Sequence, residues 1–481
     1  MMKTYFSILC LLILQFCANA QNKIKVACIG ASITYGATIE NREQNCYPAQ
    51  LQKMLGNNYQ VTNYGVSGTT LLKKGDLPYW NTSEYKKALA DNPDVVLIDL
   101  GGNDSKLINR IYLNEYEADY RQFIRSFTLL PSHPRVVLFL AMPSFEKDTI
   151  GIWDPVIVNR VNPRIQQVAF ENEVEVIDMH CLFVDKEAIT PDKIHPNKEG
   201  ATIMAQTVYE NITQKKDTDF NIFPKLKAEY KINSFYGYQC ASFKFDGRDC
   251  KVVKPKWSAP GHPWIWRARF WGHEPQTDIS LLQRGFHLVY CDVAELLGNK
   301  ESNKYWDDFY RLLYTAGLGK KAVMEGMSRG GVYVFNWAAV NTNKVACVYV
   351  DNPLLNIPSW AEGYLKTPAV KDEMFEAFKK DYKLTTAEQI RKFKGSPVDK
   401  IKQIVKGKYP ILILCADADE AVSPADNTLL FEKEVKALKG NITVIHKPGF
   451  KHHPHSLPNP TPIVDFILKA TGQYLHTPEN N

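Results

Sequence analysis

Short apolar runs alternate with longer amphipathic segments along most of this 481-residue chain, and this alternation is the feature that most restricts its fold. Such a pattern is typical of helices packed on a mostly parallel sheet. It occurs in two successive stretches with a polar, lysine-rich segment between them. The sequence therefore predicts an α/β protein of two consecutive three-layer domains. We expect a first domain over residues 21–213, a linker over 214–232 and a second domain over 233–481.

The apolar runs predict strands in both domains. In the first domain the predicted strands cover residues 25–29, 60–64, 95–100, 136–141 and 174–177. In the second domain they cover residues 241–245, 264–266, 287–291, 322–324, 346–350, 411–415 and 443–446. A segment of about fifty residues, rich in aromatic and charged side chains, follows Asp351. Insertions of this kind often cover a site, so we expect a cap.

Composition excludes several classes of protein. Hydrophobic residues make up 45% of the chain and charged residues 23%, which is typical of a folded protein and not of a disordered one. Lys and Arg number 58 against 52 Asp and Glu, a surplus of 6 that forms no basic block. We therefore expect no nucleic-acid partner. Beyond the N-terminus no apolar run reaches the roughly 20 residues that span a bilayer, so we expect no membrane span.

Residues 1–20 have the pattern of a secretory signal peptide. Lys3 precedes an apolar stretch over residues 5–16, and small residues follow it. Cleavage would leave Gln21 as the first residue of a periplasmic or extracellular protein. Bulky residues precede Cys17, which disfavours a lipid anchor there.

Eight cysteines remain after removal of the signal, and their spacing fits no zinc pattern. We expect structural roles for all eight. Cys240 and Cys250 could close a hairpin disulfide in an oxidising compartment. The sequence predicts neither a metal nor a cofactor.

Four polar segments follow predicted strands of the first domain or lie near its end. They are Gly30-Ala31-Ser32-Ile33-Thr34, Asn63-Tyr64-Gly65-Val66-Ser67-Gly68, Gly101-Gly102-Asn103-Asp104 and Asp192-Lys193-Ile194-His195-Pro196-Asn197. A serine nucleophile needs an imidazole to take its proton and a carboxylate to orient that imidazole. Ser32, His195 and Asp192 fit these three roles.

The four segments, in this order, resemble the SGNH (GDSL-like) hydrolase family, although Ala31 stands where that family usually has Asp. The resemblance implies a flavodoxin-like parallel sheet and serine esterase chemistry. It also implies an oxyanion hole made by the backbone N–H groups of Ser32 and Gly68 and the side-chain amide of Asn103. Asp104 is expected to be structural.

In the second domain, a predicted strand is followed by Gly326-Met327-Ser328-Arg329-Gly330 and a helical apolar run. This G-x-S-x-G context is typical of a nucleophile elbow. An acid and a histidine follow in the required order, at Asp417-Ala418-Asp419 and His452-His453-Pro454-His455.

The second stretch resembles the α/β-hydrolase fold over about residues 233–475. Similarity to that family's spacing favours Asp419 over Asp417 and His452 over His453 or His455, with Asp351 as a spare acid. The elbow assigns one oxyanion donor to the backbone N–H of Arg329, and we expect a second in the loop over residues 267–270.

Two further residues are candidates for substrate contact, Arg267 and Trp360. Arg267, Arg269 and Arg329 would make the mouth of the second site positive. An acidic sugar could use that charge, and so could an internal salt bridge. Tryptophan often stacks on sugar rings, although buried aromatic residues more often belong to a core.

Two esterase folds on one exported chain resemble secreted bacterial carbohydrate esterases. The resemblance implies removal of acyl groups, acetyl foremost, from an acylated polysaccharide or oligosaccharide through acyl-enzyme intermediates at two sites. Two alternatives remain open. One half could be a binding or scaffolding module beside a single esterase, or the protein could be a lipase or phospholipase.

Overall fold

The computed structural model describes residues 23–478, so the predicted signal at residues 1–20 lies outside the described part of the chain. Its contacts divide the chain into two compact units. The first unit contains residues 23–161, the segment Ala188–Glu210 and residues 477–478, and the second contains Asn162–Glu187 and Asn211–His476. Both units are built from strands and helices, which confirms the predicted α/β class.

The first sheet has five strands in the order β2-β1-β3-β4-β5. Their bounds are β1 Ile24–Gly30, β2 Tyr59–Gly65, β3 Val95–Asp99, β4 Arg135–Phe139 and β5 Glu175–Ile177. β1 is parallel to both β2 and β3, and β3 is parallel to β4. All five residues of β3 are buried, which explains its continuous apolar sequence.

Helices connect and follow these strands. They are α1 Ser32–Tyr35, α2 Arg42–Asn45, α3 Tyr47–Leu55, α4 Ser83–Ala90, α5 Leu107–Arg110, α6 Tyr116–Thr128, α7 Asp154–Val156, α8 Asn162–Asn172, α9 Met179–Phe183 and α10 Lys198–Thr213. In α6, Tyr116, Tyr120, Phe123 and Phe127 recur at steps of four, three and four, and all are fully buried. This apolar stripe holds α6 in the core.

The second sheet has nine strands in the order β14-β13-β12-β11-β9-β10-β8-β7-β6. Their bounds are β6 Tyr230–Phe235, β7 Tyr238–Phe245, β8 Arg248–Val253, β9 Trp264–Arg267, β10 His287–Cys291, β11 Ala322–Met327, β12 Val345–Asp351, β13 Ile411–Ala416 and β14 Ile442–Lys447. The strands β6, β7 and β8 form an antiparallel meander. The pairs from β9 to β14 are parallel.

The structure differs from the expected linker over residues 214–232. Ile222, Phe223 and Leu226 are buried in the core of the second unit, and β6 begins at Tyr230. β6 is an edge strand with five exposed residues out of six, so its sequence is polar and shows no apolar run.

The helices of the second unit after α10 are α11 Gln276–Gln283, α12 Lys300–Thr315, α13 Gly330–Ala338, α14 Ile357–Lys366, α15 Glu373–Asp381, α16 Ala387–Arg391, α17 Ile401–Lys406, α18 Thr428–Ala437 and α19 Thr461–Thr471. The helices α14, α15 and α16 occupy the aromatic-rich insertion. Across residues 23–478, every helix is too short or too polar to cross a membrane.

The eight cysteines among the described residues are free thiols. The hairpin disulfide considered for Cys240 and Cys250 is not formed, because the register of β7 and β8 places Cys240 opposite Val253 and Cys250 opposite Phe243. On the other side of β8, Cys250 lies opposite Cys291 of β10. All but Cys181 are buried.

Candidate active sites

Strand register brings the polar segments of the first unit to one edge of its sheet. Gly30 at the end of β1 pairs with Gly65 of β2 on one side and with Asp99 of β3 on the other. The carboxyl ends of three neighbouring parallel strands therefore coincide, and this is where open α/β sheets bind ligands. Ser32 and Asn103 follow within a few residues of these ends.

Ser32, His195 and Asp192 form a continuous hydrogen-bonded chain. His195 Nε2 lies 2.7 Å from Ser32 Oγ, and His195 Nδ1 lies 2.6 Å from Asp192 Oδ2. The other oxygen of Asp192 accepts the backbone N–H groups of Ile194 at 3.1 Å and of His195 at 2.7 Å. Asp192 therefore holds both the imidazole and the backbone that carries it.

Asp192 has a pKa below the usual value for an aspartate. Partial burial acts to raise its pKa, but the hydrogen bonds from the His195 side chain and from the two backbone N–H groups outweigh that effect. The carboxylate therefore stays ionised through the weakly acidic range and can stabilise an imidazolium.

The expected oxyanion donors of the first unit lie at the same edge. Among residues 23–478 the backbone N–H of Gly68 finds no acceptor, and Gly68 has a φ of +84°, which favours glycine. The Asn103 side chain is buried and donates one N–H to the Thr69 carbonyl at 3.0 Å. Asn109 in turn donates to the Asn103 carbonyl at 2.9 Å. The second N–H of the Asn103 amide is left available to a ligand oxygen.

Asp104 is structural, as expected. Its carboxylate is fully buried and accepts the backbone N–H groups of Leu71 at 3.1 Å and Leu72 at 2.8 Å. Burial raises the pKa of Asp104 to about 6. Its role is to hold the loop that follows Gly68.

In the second unit, Ser328 occupies a strained turn between β11 and α13. Its φ is +50°, a backbone conformation that residues other than glycine rarely adopt. The strand and helix approach so closely that a Cβ on Gly326 would lie 2.7 Å from the carbonyl carbon of Gly330. Glycine at position 326 is therefore a steric requirement of the elbow, whereas a Cβ on Gly330 would make only ordinary contacts at 3.9 Å or more.

The second unit contains its own Ser–His–Asp chain. His452 Nε2 lies 3.0 Å from Ser328 Oγ, and His452 Nδ1 lies 2.7 Å from Asp419 Oδ2. The other oxygen of Asp419 accepts the backbone N–H groups of Ala421 and Val422, both at 2.9 Å. Burial acts to raise the pKa of Asp419, but the hydrogen bonds from His452 and the backbone lower it below its usual value.

The alternative acids and bases have other partners. Asp417 pairs with His446 at 2.7 Å. Asp351 is buried and binds Lys447 at 3.1 Å and His455 at 3.2 Å, while His453 is exposed. Of the candidates left open by the sequence, the structure brings Asp419 and His452 together with Ser328.

Asn352 is a site residue that the sequence analysis missed. Its side chain donates to the His452 carbonyl at 2.9 Å and accepts the backbone N–H of Ala416 at 2.7 Å. It therefore joins the loop that carries the base to the end of β13. The signal available in the sequence was its position directly after a strand, next to Asp351.

Two backbone segments offer oxyanion donors near Ser328. Among the described residues, the N–H of Arg329 finds no acceptor. In the loop after β9, the N–H of Ala268 is already donated to the Glu325 carbonyl at 2.9 Å, whereas those of Arg269 and Phe270 are not engaged. A second donor from this loop would therefore be Arg269 or Phe270.

The expectation that Arg267 contacts substrate is wrong. Its side chain is 1% exposed and forms ion pairs with Asp278 at 2.7 Å and Glu325 at 3.1 Å. A buried guanidinium requires such partners, so the charge of Arg267 is neutralised within the core by these two carboxylates.

Trp360 is half-buried on α14 and makes edge contacts with Tyr364, Phe375 and Phe378. It belongs to the aromatic cluster of the insertion, and its contact with substrate stays a prediction.

Within residues 23–478, three groups of side chains have possible metal-ligand atoms within 4.8 Å of one another. The groups are His452 with His453 and His455, His273 with Glu274 and His453, and Cys415 with Asp417 and His446. The hydrogen bonds given above engage one nitrogen each of His446 and His455 and both nitrogens of His452.

Comparison with known proteins gives a family for part of the chain. Residues 28–203 match the GDSL-like Lipase/Acylhydrolase family. An acetylxylan esterase from Xylanibacter ruminicola is 40% identical over 209 residues, which are 40% of this chain and 43% of that protein. The chain thus spans less than half the length of this curated relative.

Two solved structures are also similar. Est24, a carbohydrate acetylesterase from Sinorhizobium meliloti, is 19% identical with a TM-score of 0.34, and the match covers 40% of this chain and 98% of that chain. Est1E from Butyrivibrio proteoclasticus is 20% identical with a TM-score of 0.35, and the match covers 48% of this chain and 99% of that chain. From the match over residues 28–203, this part of the chain is a GDSL-like lipase/acylhydrolase domain.

Proposed function

We propose that this protein is an exported carboxylic ester hydrolase that removes acetyl groups from decorated polysaccharides or oligosaccharides at two serine-dependent sites. The observation that carries the proposal is a hydrogen-bonded Ser–His–Asp chain in each unit. The similarity of part of the chain to an acetylxylan esterase supports acetyl as the acyl group and a polysaccharide as the substrate.

At the first site, ester hydrolysis would proceed through Ser32, His195 and Asp192. As Ser32 Oγ attacks the acyl carbonyl carbon, its proton passes to His195 Nε2, and Asp192 stabilises the imidazolium. The N–H groups of Ser32, Gly68 and Asn103 would bind the oxyanion. The bond to the sugar oxygen breaks, and that oxygen takes the proton from His195. Water then attacks the acyl-enzyme in the same way, which releases acetate and restores Ser32.

The second site repeats these steps with Ser328, His452 and Asp419. Here the elbow supplies the N–H of Arg329 as one oxyanion donor. Both sites act through acyl-enzymes, so removal of either serine hydroxyl should abolish turnover at its own site only.

Turnover of 4-nitrophenyl acetate by Ser32→Ala, Ser328→Ala and the double variant tests the two-site proposal. We expect partial activity in each single variant and none in the double variant. Loss of all activity in one single variant would show a single esterase beside a binding module. Mass spectrometry of acetylated xylan oligosaccharides after treatment with each variant assigns the acetyl losses to a site.

Two further measurements test the rest of the proposal. A preference for short acyl chains over long ones is expected of an acetylesterase, and the opposite preference would indicate a lipase. N-terminal sequencing of the exported protein should begin at Gln21, and retention of residues 1–20 would contradict the export proposal.

A further inference from the structure

Two arginines lie at the start of α13, next to the elbow that carries Ser328, and within residues 23–478 neither forms an ion pair with a carboxylate. Arg329 follows Ser328 directly and precedes the first residue of α13. Arg269 lies in the loop after β9, where its Cβ is 4.0 Å from the position that a Cβ on Gly330 would take. Both side chains are half-buried. They converge on the start of the same helix from two different segments of the chain.

The positive charges of these arginines are not neutralised by ion pairs. Among residues 23–478, neither guanidinium forms an ion pair, and Nε and one terminal nitrogen of Arg269 are buried without a hydrogen-bond partner. Arg267, two residues before Arg269, shows the contrasting case, because two carboxylates neutralise it. An internal salt bridge therefore accounts for Arg267 but not for Arg269 or Arg329.

Arg269 and Arg329 carry like charges at the start of the same helix. Burial lowers the pKa of Arg329, and the charge of Arg269 lowers it further. Tyr333 acts in the opposite direction, and so does Asp372 of the insertion. Its carboxylate, however, accepts the Phe375 N–H at 2.9 Å and the Tyr364 hydroxyl at 3.2 Å. Two neighbouring guanidinium charges in a partly buried site are energetically unfavourable unless an anion binds between them.

We propose that Arg269 and Arg329 bind a carboxylate of the substrate, so that the second site acts on esters of glycans that contain uronic acid. The proposal rests on the ester hydrolysis proposed at Ser328 and names its substrate class. Guanidinium groups match carboxylates in shape and form paired, charge-assisted hydrogen bonds with them. A neutral sugar would leave the two charges unpaired, which provides discrimination between acidic and neutral glycans.

Binding is tested by calorimetry with Ser32→Ala protein and two matched ligands, a linear tetragalacturonate and a linear galactotetraose. We expect the acidic ligand to bind at least tenfold more tightly and its affinity to fall with added NaCl. Equal affinities would overturn the proposal, and this comparison requires no change to either arginine.

Arginine variants locate the site. Arg269→Gln and Arg329→Gln should each weaken tetragalacturonate binding about tenfold or more, and Arg329→Lys should weaken it less. Arg311→Gln is the matched control, because Arg311 is 73% exposed on α12 and pairs with Asp308 at 3.2 Å. The control should bind like the parent protein. Tight binding that survives both glutamine substitutions would place the anion elsewhere and overturn the proposal.

Competition separates this inference from the proposed catalysis. In Ser32→Ala protein, tetragalacturonate should inhibit hydrolysis of 4-nitrophenyl acetate at lower concentration than galactotetraose does. If Ser328 proves inactive but the acidic ligand still binds through the two arginines, the carboxylate site stands and the catalytic proposal fails. If Ser328 is active without any preference for the acidic ligand, the catalytic proposal stands and this inference fails.

Discussion

At the scale of single residues, the two triads differ in the exposure of their carboxylates. The Asp192 side chain is 41% exposed, whereas that of Asp419 is 1% exposed. The imidazoles are equally shielded, with His195 at 17% and His452 at 16%. Water screens a charge interaction, so the carboxylate should contribute more to catalysis in the second unit.

We therefore expect unequal losses from Asp419→Asn and Asp192→Asn. An asparagine stabilises the wrong imidazole tautomer, and at Asp419 the loss in kcat should approach about 10⁴-fold. At Asp192, water can replace part of the carboxylate's role, so the loss should be at least tenfold smaller. Each variant is measured with the other unit's serine changed to alanine, and equal losses would contradict the argument.

A second prediction at this scale concerns Asp99, which is buried beneath the first site and accepts the Thr34 hydroxyl at 3.0 Å. Burial raises the pKa of Asp99 from 3.8 to about 6. Between these values the folded chain keeps a proton that the unfolded chain has lost, so stability falls as the pH rises from about 4 to about 6.

Asp99→Asn removes this titration. Relative to wild type, the variant should gain about 1–3 kcal/mol in the free energy of unfolding when the pH is raised from 4 to 7. Calorimetric unfolding at several pH values gives the slope of the free energy of unfolding against pH for wild type and for Asp99→Asn. Parallel slopes would show that Asp99 is not protonated in the folded chain.

At the scale of elements, the second site depends on the close packing of β11 against α13. Gly326 is the contact point, since an added Cβ would also lie 2.8 Å from the carbonyl oxygen of Gly330. Backbone atoms cannot move away as the end of a flexible side chain can, so the elbow tolerates no larger residue.

Gly326→Ala should therefore lower the free energy of unfolding by about 2 kcal/mol or more and abolish turnover at Ser328. Gly363→Ala on α14 is the matched control, because a Cβ there meets nothing within 4 Å. The control should stabilise the protein by about 0.5–1 kcal/mol. Chemical unfolding measures the stability of each glycine variant. Turnover by each variant in the Ser32→Ala background measures the activity at Ser328. Similar results for Gly326→Ala and Gly363→Ala would refute the packing argument.

At the scale of the whole molecule, each triad is complete within one compact unit. Ser32, Asp192 and His195 belong to the first unit, and the other triad belongs to the second. The two serines should therefore react independently with reagents that modify activated hydroxyl groups.

A fluorophosphonate probe measures this independence. Attack by an activated serine oxygen forms an O–P bond and expels fluoride, so wild type should gain two labels per chain by intact mass. Ser32→Ala and Ser328→Ala should each gain one label, and the double variant none. A single label on wild type would show that one of the two serines is not activated.

Local sequence determined most of the secondary structure and the positions of both serines. The apolar stripe of α6 and the buried strand β3 follow from hydrophobic periodicity, which acts over a few residues. The elbow around Ser328 follows from glycine spacing. The polar edge strand β6 was missed because five of its six residues face solvent, so no hydrophobic pattern marks it.

Only the tertiary structure decided which side chains meet. His452 and Asp419 are 33 residues apart, and His452 and Ser328 are 124 residues apart. The sequence alone left His453, His455, Asp417 and Asp351 as alternatives to them. It also could not separate Arg267, neutralised by two carboxylates, from Arg269, which has none. The physical reason is that periodicity and spacing are local properties, whereas burial, charge pairing and hydrogen-bond partners depend on segments that meet only after the chain folds.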